Sequence, residues 1–350
     1  MSVQSFYHRL VAGEGGVWAV PVRGALRAGE GVFACGVALR NRWYDRRGPT
    51  IVLQIPVVSV GNLTVGGTGK TPIVIDIARR LEQMGFSPAV VSRGYRATTD
   101  EPNDEERLIR AECPGVICLA DPDRIRAAEL AHARLGADVI VLDDGFQHRR
   151  LGRTIDIVVI DATCPFGYGH LLPRGLLREL INRLSRADVV IITRCDQVSP
   201  DALSRLQAKI RTIVHDVATL CAVHRVTGIE SLNGAAIHGS ISGKRVVLFA
   251  GIGRPQAFET TVRSLGAEVV GTRWWPDHHR YGRRDIDSIL KSKRLPPFDL
   301  LLTTQKDAVK LNGLGGLEHA AIACVKIAIE FTGADGTILQ SVLERSLPKS

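Results

Sequence analysis

Gly61-Asn62-Leu63-Thr64-Val65-Gly66-Gly67-Thr68-Gly69-Lys70-Thr71 is the stretch on which the fold turns. An apolar run, Pro56 to Val60, precedes it and a helix-like run, Pro72 to Met84, follows it. Strand, glycine loop and helix thus come in the order a phosphate-binding P-loop requires. Glycines let successive backbone N–H groups turn inward on phosphate oxygens, and the helix N-terminus adds its partial positive charge. Lys70 can reach the β- and γ-phosphates of a nucleotide such as ATP, and Thr71 can ligate Mg²⁺. Gly66, Gly67, Thr68, Gly69, Lys70 and Thr71 are therefore the candidate nucleotide cradle. The pattern departs from the usual one at its first position, where Thr64 stands in place of Gly.

Outward from this loop, short runs rich in Val and Ile alternate with helix-like stretches of about 10 to 15 residues, the pattern of βαβ units around a buried parallel sheet. Strands are expected at Pro56 to Val60, Pro88 to Ser92, Gly115 to Leu119, Val139 to Asp143, Ile155 to Ile160 and Val189 to Thr193. A second set is expected at Arg245 to Ala250, Ala267 to Thr272, Asp299 to Thr303 and Ala320 to Val325. Between the sets lies Gly228 to Gly243, rich in Gly, Ser and Asn, an expected junction. The expected architecture is α/β: a P-loop NTPase-like parallel-sheet lobe over 51–227, a second, smaller α/β lobe over 228–350, and an N-terminal amphipathic segment over 1–50.

That N-terminal segment carries seven arginines (Arg9, Arg23, Arg27, Arg40, Arg42, Arg46, Arg47), no lysine and three acids (Glu14, Glu30, Asp45). Trp18, Val20, Val32, Phe33, Val37, Leu39, Trp43 and Tyr44 lie between them. It reads either as an extra helix packed on the first lobe with solvated arginines, or as an interfacial helix on anionic lipid. Forty-five Lys plus Arg against 36 Asp plus Glu leave +9, which suits an anionic partner: nucleotide, phosphorylated substrate, acidic lipid or nucleic acid. Aromatics are only 5%, which argues against a base-stacking single-strand binder. The seven scattered cysteines form no CxxC, so neither a disulfide framework nor a zinc knuckle is expected and the compartment reads as reducing. No apolar run approaches the roughly 18 to 20 residues of a membrane span, and no signal-peptide order opens the chain. The expected location is cytosolic, with room for contact to a membrane from that side.

A second constellation is Val139-Ile140-Val141-Leu142-Asp143-Asp144-Gly145-Phe146-Gln147-His148. An apolar strand ending in a carboxylate is what a Walker B element looks like, with a metal-ligating Asp beside the phosphates. Adjacent strand residues face opposite ways, so Asp143 and Asp144 can both bind metal only if the strand ends between them. His148 is either a loop histidine satisfied by its neighbours or a group near the phosphates. Ser92-Arg93-Gly94-Tyr95 and the acidic Asp100-Glu101-Pro102-Asn103-Asp104-Glu105-Glu106 follow the second strand. Loops at this edge overlie the ligand crevice of a doubly wound sheet, although acids are also at home in a plain helix first turn. The second lobe holds Trp274-Trp275-Pro276-Asp277-His278-His279-Arg280-Tyr281 and Thr303-Thr304-Gln305-Lys306-Asp307. Its paired histidines lack further ligands at zinc spacing and fit proton handling, anion contact or a solvated loop.

Together these stretches, with Val58-Ser59-Val60-Gly61-Asn62, Leu171-Leu172-Pro173-Arg174-Gly175 and Leu177-Arg178-Glu179, resemble the tetraacyldisaccharide 4'-kinase family, the lipid A kinases of Gram-negative-type envelopes. The resemblance runs from about Trp43 to Val325. It implies ATP- and Mg²⁺-dependent phosphorylation of the 4'-hydroxyl of a tetraacylated glucosamine disaccharide 1-phosphate. It also implies two α/β lobes and peripheral attachment to the cytosolic face of the inner membrane, with no nucleic acid and no obligate protein partner. By the same resemblance Asp104 takes the proton of the attacking hydroxyl with His278 as its partner. Lys70, Asp144 and Arg178 join the catalytic set, and Thr71, Asp143 and Asp144 are the metal candidates. Asp100-Glu101-Pro102 keeps the family's letters and Asp104-Glu105 its distance to Leu108-Ile109, so both aspartates stay in play as base. Leu180 and Gln305 depart from the family's usual Pro and Glu.

A rival reading is a P-loop GTPase switch or metal-insertion chaperone, on the strength of Thr193-Arg194-Cys195-Asp196, which looks like a guanine-reading Thr-Lys-x-Asp with Arg in the Lys place. A third is a membrane-bound ATP-driven scaffold without a small substrate.

Overall fold

The computed structural model describes residues 7, 11, 19–94, 102–232, 235–237, 239–292, 295–311, 314, 317 and 321–347. Two compact units emerge: one takes the chain up to Val223 and again from Ile329, the other takes His224–Ala328.

In the first unit, strands β1 (Val57–Gly61), β2 (Pro88–Ser92), β3 (Ile117–Ala120), β4 (Val139–Asp143), β5 (Ile155–Asp161), β6 (Val189–Thr193) and the first part of β7 (Ala218–Ser231) stand in the order β3-β2-β4-β1-β5-β6-β7. Every pairing among them is parallel. Because β1 lies between β4 and β5, the loops leaving those three carboxyl ends emerge side by side, where doubly wound sheets bind ligands.

Side chains alternate across each strand, so both faces of a buried strand need cover. Val58 and Val60 pack with Ile73, Val74, Ile77 and Leu81 of the helix Lys70–Gln83. Val57 packs with Ala127, Ala128 and Ala131 of the helix Arg124–Leu135. The helix Asp335–Ser346 belongs to this unit, because Leu339 and Leu343, with Leu347 after it, join the same cluster as Val58 and Ile73. The second lobe read from sequence as 228–350 thus differs from the second compact unit at both ends. Its first boundary falls inside β7, a strand the pattern hides because half its residues are polar, and its last segment returns to the first unit.

A helix spans Ala19–Arg47 of the N-terminal segment. Phe33 and Ala34 pack against a core cluster that includes Leu171, Leu177 and Leu184. Polar anchors hold the same face. Glu30 accepts from Leu171 N (3.0 Å) and pairs with Arg174 (3.2 Å). Arg40 pairs at 2.7 Å with Glu179, which is fully buried and also engaged by Arg186. Asp45 bridges Arg149 and Arg183.

The second unit carries β8 (Arg245–Ala250), β9 (Glu268–Trp274), β10 (Leu300–Thr304) and β11 (Ile322–Phe331) in the order β11-β10-β8-β9, again parallel. Leu248, Leu302 and Ala323 pack with Phe258 and Val262 on one face. Val247, Phe249 and Leu301 pack with Ile286 and Ile289 on the other.

Candidate active site

The loop after β1 is shaped by two left-handed glycines, Gly66 (φ 104°) and Gly69 (φ 83°), the second serving as N-cap of the helix that begins with Lys70 and Thr71. A side chain is disfavoured at these dihedrals. Gly61 is required for a different reason: a Cβ there would come within 2.5 Å of the Phe146 backbone nitrogen, where the chain leaving β4 crosses the end of β1. Thr64 fills the usual glycine place by pairing instead of bending. It bridges Leu177, and Val65 N donates to Leu176 O (2.8 Å), so the segment 176–178 straps the loop down.

Sequence left it open whether Asp143 and Asp144 could act on one side. The structure ends β4 at Asp143 and gives Asp144 a left-handed backbone (φ 52°), so the two carboxylates no longer obey strand alternation. Asp144 meets Lys70 at 3.2 Å and accepts two hydrogen bonds from Arg178, both 2.8 Å. Burial pushes its carboxyl up, but Lys70 and Arg178 outweigh burial and hold it well below the ordinary carboxylate range. Asp143 goes the other way. It is 6% exposed and its Oδ1 has no hydrogen-bond partner. Burial pushes it up to about 6 against the pull of Lys70, with Asp144 and Glu105 adding to the push. Arg124, itself buried, donates to the carbonyl of Asp144 (2.9 Å) and so fixes the turn between the two acids.

At the centre sits a residue the sequence reading quoted without giving it a role. Asn62, fully buried, accepts on Oδ1 from both Lys70 (3.0 Å) and Arg178 (2.6 Å) and donates from Nδ2 to Thr64 O (2.7 Å). Its own carbonyl accepts from Gln147 Nε2 (2.9 Å). Its place directly after β1 and before the glycine loop is visible in the sequence, but nothing local says which cations it meets. His148 has an orphaned, buried Nε2. Burial, followed by Arg124, Arg153 and Arg150, pushes it down to about 4, so its ring is neutral at pH 7.

Asp104 opens the helix Asp104–Glu112, whose N-cap Asn103 accepts from Glu106 N (2.8 Å). The charge of neighbouring Glu105 is felt at Asp143. Tyr95 and Asp100 lie outside the described residues. In the second unit, His278 has a left-handed backbone (φ 60°) and donates its N–H to Gly251 O (3.2 Å). Lys306 Nζ lies 3.4 Å from both His278 Nε2 and Asp277 Oδ1. The two histidines diverge in role: His279 stacks on Trp275 (centroids 5.4 Å apart) and pairs with Asp285 at 3.2 Å. Asp307 is fully buried, accepts from Gly251 N (3.1 Å) and Thr304 Oγ1 (2.9 Å), and pairs with Lys310 at 2.6 Å, bracing the loop that carries His278. Gln305 accepts from Ile327 N (2.9 Å).

A glycine loop between a central parallel strand and its helix, with a lysine at the helix start and an acid at the end of the adjacent strand, defines a P-loop nucleotide-binding protein of α/β class. The model of the tetraacyldisaccharide-1-P 4'-kinase family matches residues 23–347. A tetraacyldisaccharide 4'-kinase of Anaeromyxobacter dehalogenans is 38% identical over 91% of this chain and 89% of its own length. One of Syntrophus aciditrophicus is 38% identical over 85% of this chain and 86% of its own. A crystal structure of LpxK from Aquifex aeolicus in complex with ATP superposes with a TM-score of 0.72 at 25% identity, covering 93% of this chain and all of that one. The chain belongs to the tetraacyldisaccharide 4'-kinase family.

Proposed function

We infer that this chain is an ATP-dependent kinase that phosphorylates the 4'-hydroxyl of a tetraacylated glucosamine disaccharide 1-phosphate in lipid A biosynthesis. The observation that carries this reading is a kinase-family match over nearly the whole chain, coinciding with a phosphate loop on which Lys70, Arg178 and Asp144 converge. A GTPase switch or metal-insertion chaperone is not favoured by that match.

Phosphoryl transfer leaves the protein little covalent work, so in-line positioning and charge neutralisation are most of the catalysis. Gly66, Gly67, Thr68, Gly69, Lys70 and Thr71 cradle the phosphates in this reading. Lys70 and Arg178, held by Asn62 and Asp144 until ATP arrives, neutralise the transferred group. Thr71 and the two aspartates fit Mg²⁺, which would supply further charge neutralisation between the phosphates when bound. Asp143 is the better ligand, because its Oδ1 is buried without a partner while Asp144 has both oxygens on Arg178. Asp104 is the proposed base, and its partnership with His278 rests on the family resemblance.

The helix Ala19–Arg47 suits a lipid substrate. Its outer face leaves Val32 77%, Leu39 65% and Trp43 43% exposed, beside exposed Arg42, Arg46 and Arg47. Apolar residues at helical spacing flanked by arginines are the composition of an interfacial helix. Among the described residues no helix is long and apolar enough to cross a membrane. The proposed location, resting on this exposed apolar and arginine-bearing face and on the family resemblance, is peripheral at the cytosolic face of the inner membrane. No nucleic acid and no obligate protein partner are invoked.

The test is incubation with γ-labelled ATP and a lipid A disaccharide precursor. Label should appear in the lipid with the wild type and be abolished by Lys70→Ala. Preference for GTP, or ATP turnover indifferent to the lipid, would overturn the assignment.

A further inference from the structure

The Thr193-Arg194 pair, which in sequence looked like part of a base-reading element, spends its donors elsewhere in the fold. Thr193, fully buried at the end of β6, donates from Oγ1 to Thr68 O (2.9 Å). Arg194, left-handed (φ 57°) and 8% exposed, donates from Nη1 to Gly67 O (3.2 Å) and pairs with Asp161. Asp161 is 1% exposed, lies opposite Thr193 in the β5–β6 register, and gives its other oxygen to Thr163 N (2.9 Å) and Oγ1 (2.6 Å).

We propose that Thr193 and Arg194 are positioning residues of the nucleotide site, acting on the phosphate loop through its backbone and reading no base. In a planar trans peptide each C=O points opposite to the N–H that follows it. Anchoring Gly67 O on Arg194 therefore turns Thr68 N–H away from β6, where it closes onto Gly66 O (3.1 Å). Anchoring Thr68 O on Thr193 likewise aims the N–H of Gly69, the N-cap of the Lys70 helix, to the opposite side of the loop. Asp161 keeps the Arg194 guanidinium in place, since a buried cation without a partner is strongly disfavoured. Two adjacent residues so fix the loop in a phosphate-ready shape before nucleotide enters, which lowers the ordering cost of binding. The inference rests on the nucleotide-binding part of the function proposed above.

The experiment is direct binding of ATP, ADP and GTP to the full-length wild type, Thr193→Val and Arg194→Lys. The lysine keeps a cation on Asp161, so that variant retains the buried pair even if Thr193→Val folds poorly. Thr193→Val should raise the Kd for ATP and ADP together by roughly three- to tenfold, the scale of one lost neutral hydrogen bond, and Arg194→Lys by roughly tenfold or more because its bond is charge-assisted, with the ATP-to-GTP ratio unchanged for both. A change in that ratio would make the pair a base reader. An unchanged Kd with a smaller binding-competent fraction would reduce its role to folding. Either result overturns the proposal. A wild type that binds no nucleotide overturns it together with the nucleotide reading beneath it, whereas one that binds ATP yet transfers nothing to lipid overturns only the kinase assignment.

Discussion

Asn62→Ala is the sharpest test of how the site is built. The side chain is fully buried and accepts from two cations, Lys70 at 3.0 Å and Arg178 at 2.6 Å. A hydrogen bond to a charged group contributes about 1.5 to 3 kcal/mol, so both together set an upper bound of about 3 to 6 kcal/mol. Asp144 still holds Lys70 and Arg178 in the variant, which keeps the two cations near the loop but frees their orientation. About half of the bound, roughly 1.5 to 3 kcal/mol, is then the expected loss of transition-state stabilisation, a fall in kcat/KM on the order of 10- to 160-fold. Asn62→Asp keeps an acceptor for both cations but sets a charged oxygen against Thr64 O in place of the donor, so its fall should lie between wild type and the alanine variant. Label transfer from γ-labelled ATP to the lipid precursor measures kcat/KM, and thermal unfolding in parallel reports whether the fold survives. Near wild-type kcat/KM for Asn62→Ala in a folded protein would refute the idea that this amide aligns the cations.

Asp104→Asn should lower turnover by roughly 10² to 10⁴, the usual contribution of a positioned base, with the KM for ATP little changed; Asp104→Asn, His278→Ala should be scarcely worse than the worse single variant, and additive losses would break the pairing. Leu39→Asp with Trp43→Ala should weaken binding to anionic vesicles by about tenfold or more, since burying one large apolar side chain contributes about 1.5 to 3 kcal/mol, while ATP affinity stays put; a full-length protein that binds no vesicles at low ionic strength would leave this helix a purely structural element. His148, pushed down to about 4 from 6.5, binds its proton more readily in the unfolded chain, so its contribution is present above pH 6.5 and is lost as pH falls toward 4. That loss is at most about 3.4 kcal/mol, and His148→Gln should flatten denaturant-measured stability over this window; an unchanged pH profile would count against a neutral ring.

Much of the fold was legible because its signals are local. β2, β4, β6 and β8 lie where apolar runs place them, and the glycine loop with Lys70-Thr71 announces its phosphate chemistry from eleven consecutive letters. β7 was hidden, because a strand with half its positions polar carries no apolar period to read. The site itself divides the same way. Residue type and order nominated Lys70 and Asp144, and the family resemblance nominated Arg178, but Arg178 is 116 positions from the Asn62 oxygen it shares with Lys70. Only the strand order, with β1 between β4 and β5, brings those segments to one point. Likewise the left-handed turn at Asp144, and the turning of Thr193 and Arg194 onto the phosphate loop, are decided by what packs and pairs around them. A sequence specifies which groups are available and the local shape that holds them; which of them meet depends on contacts between distant segments, whose energies exist only once the chain is folded.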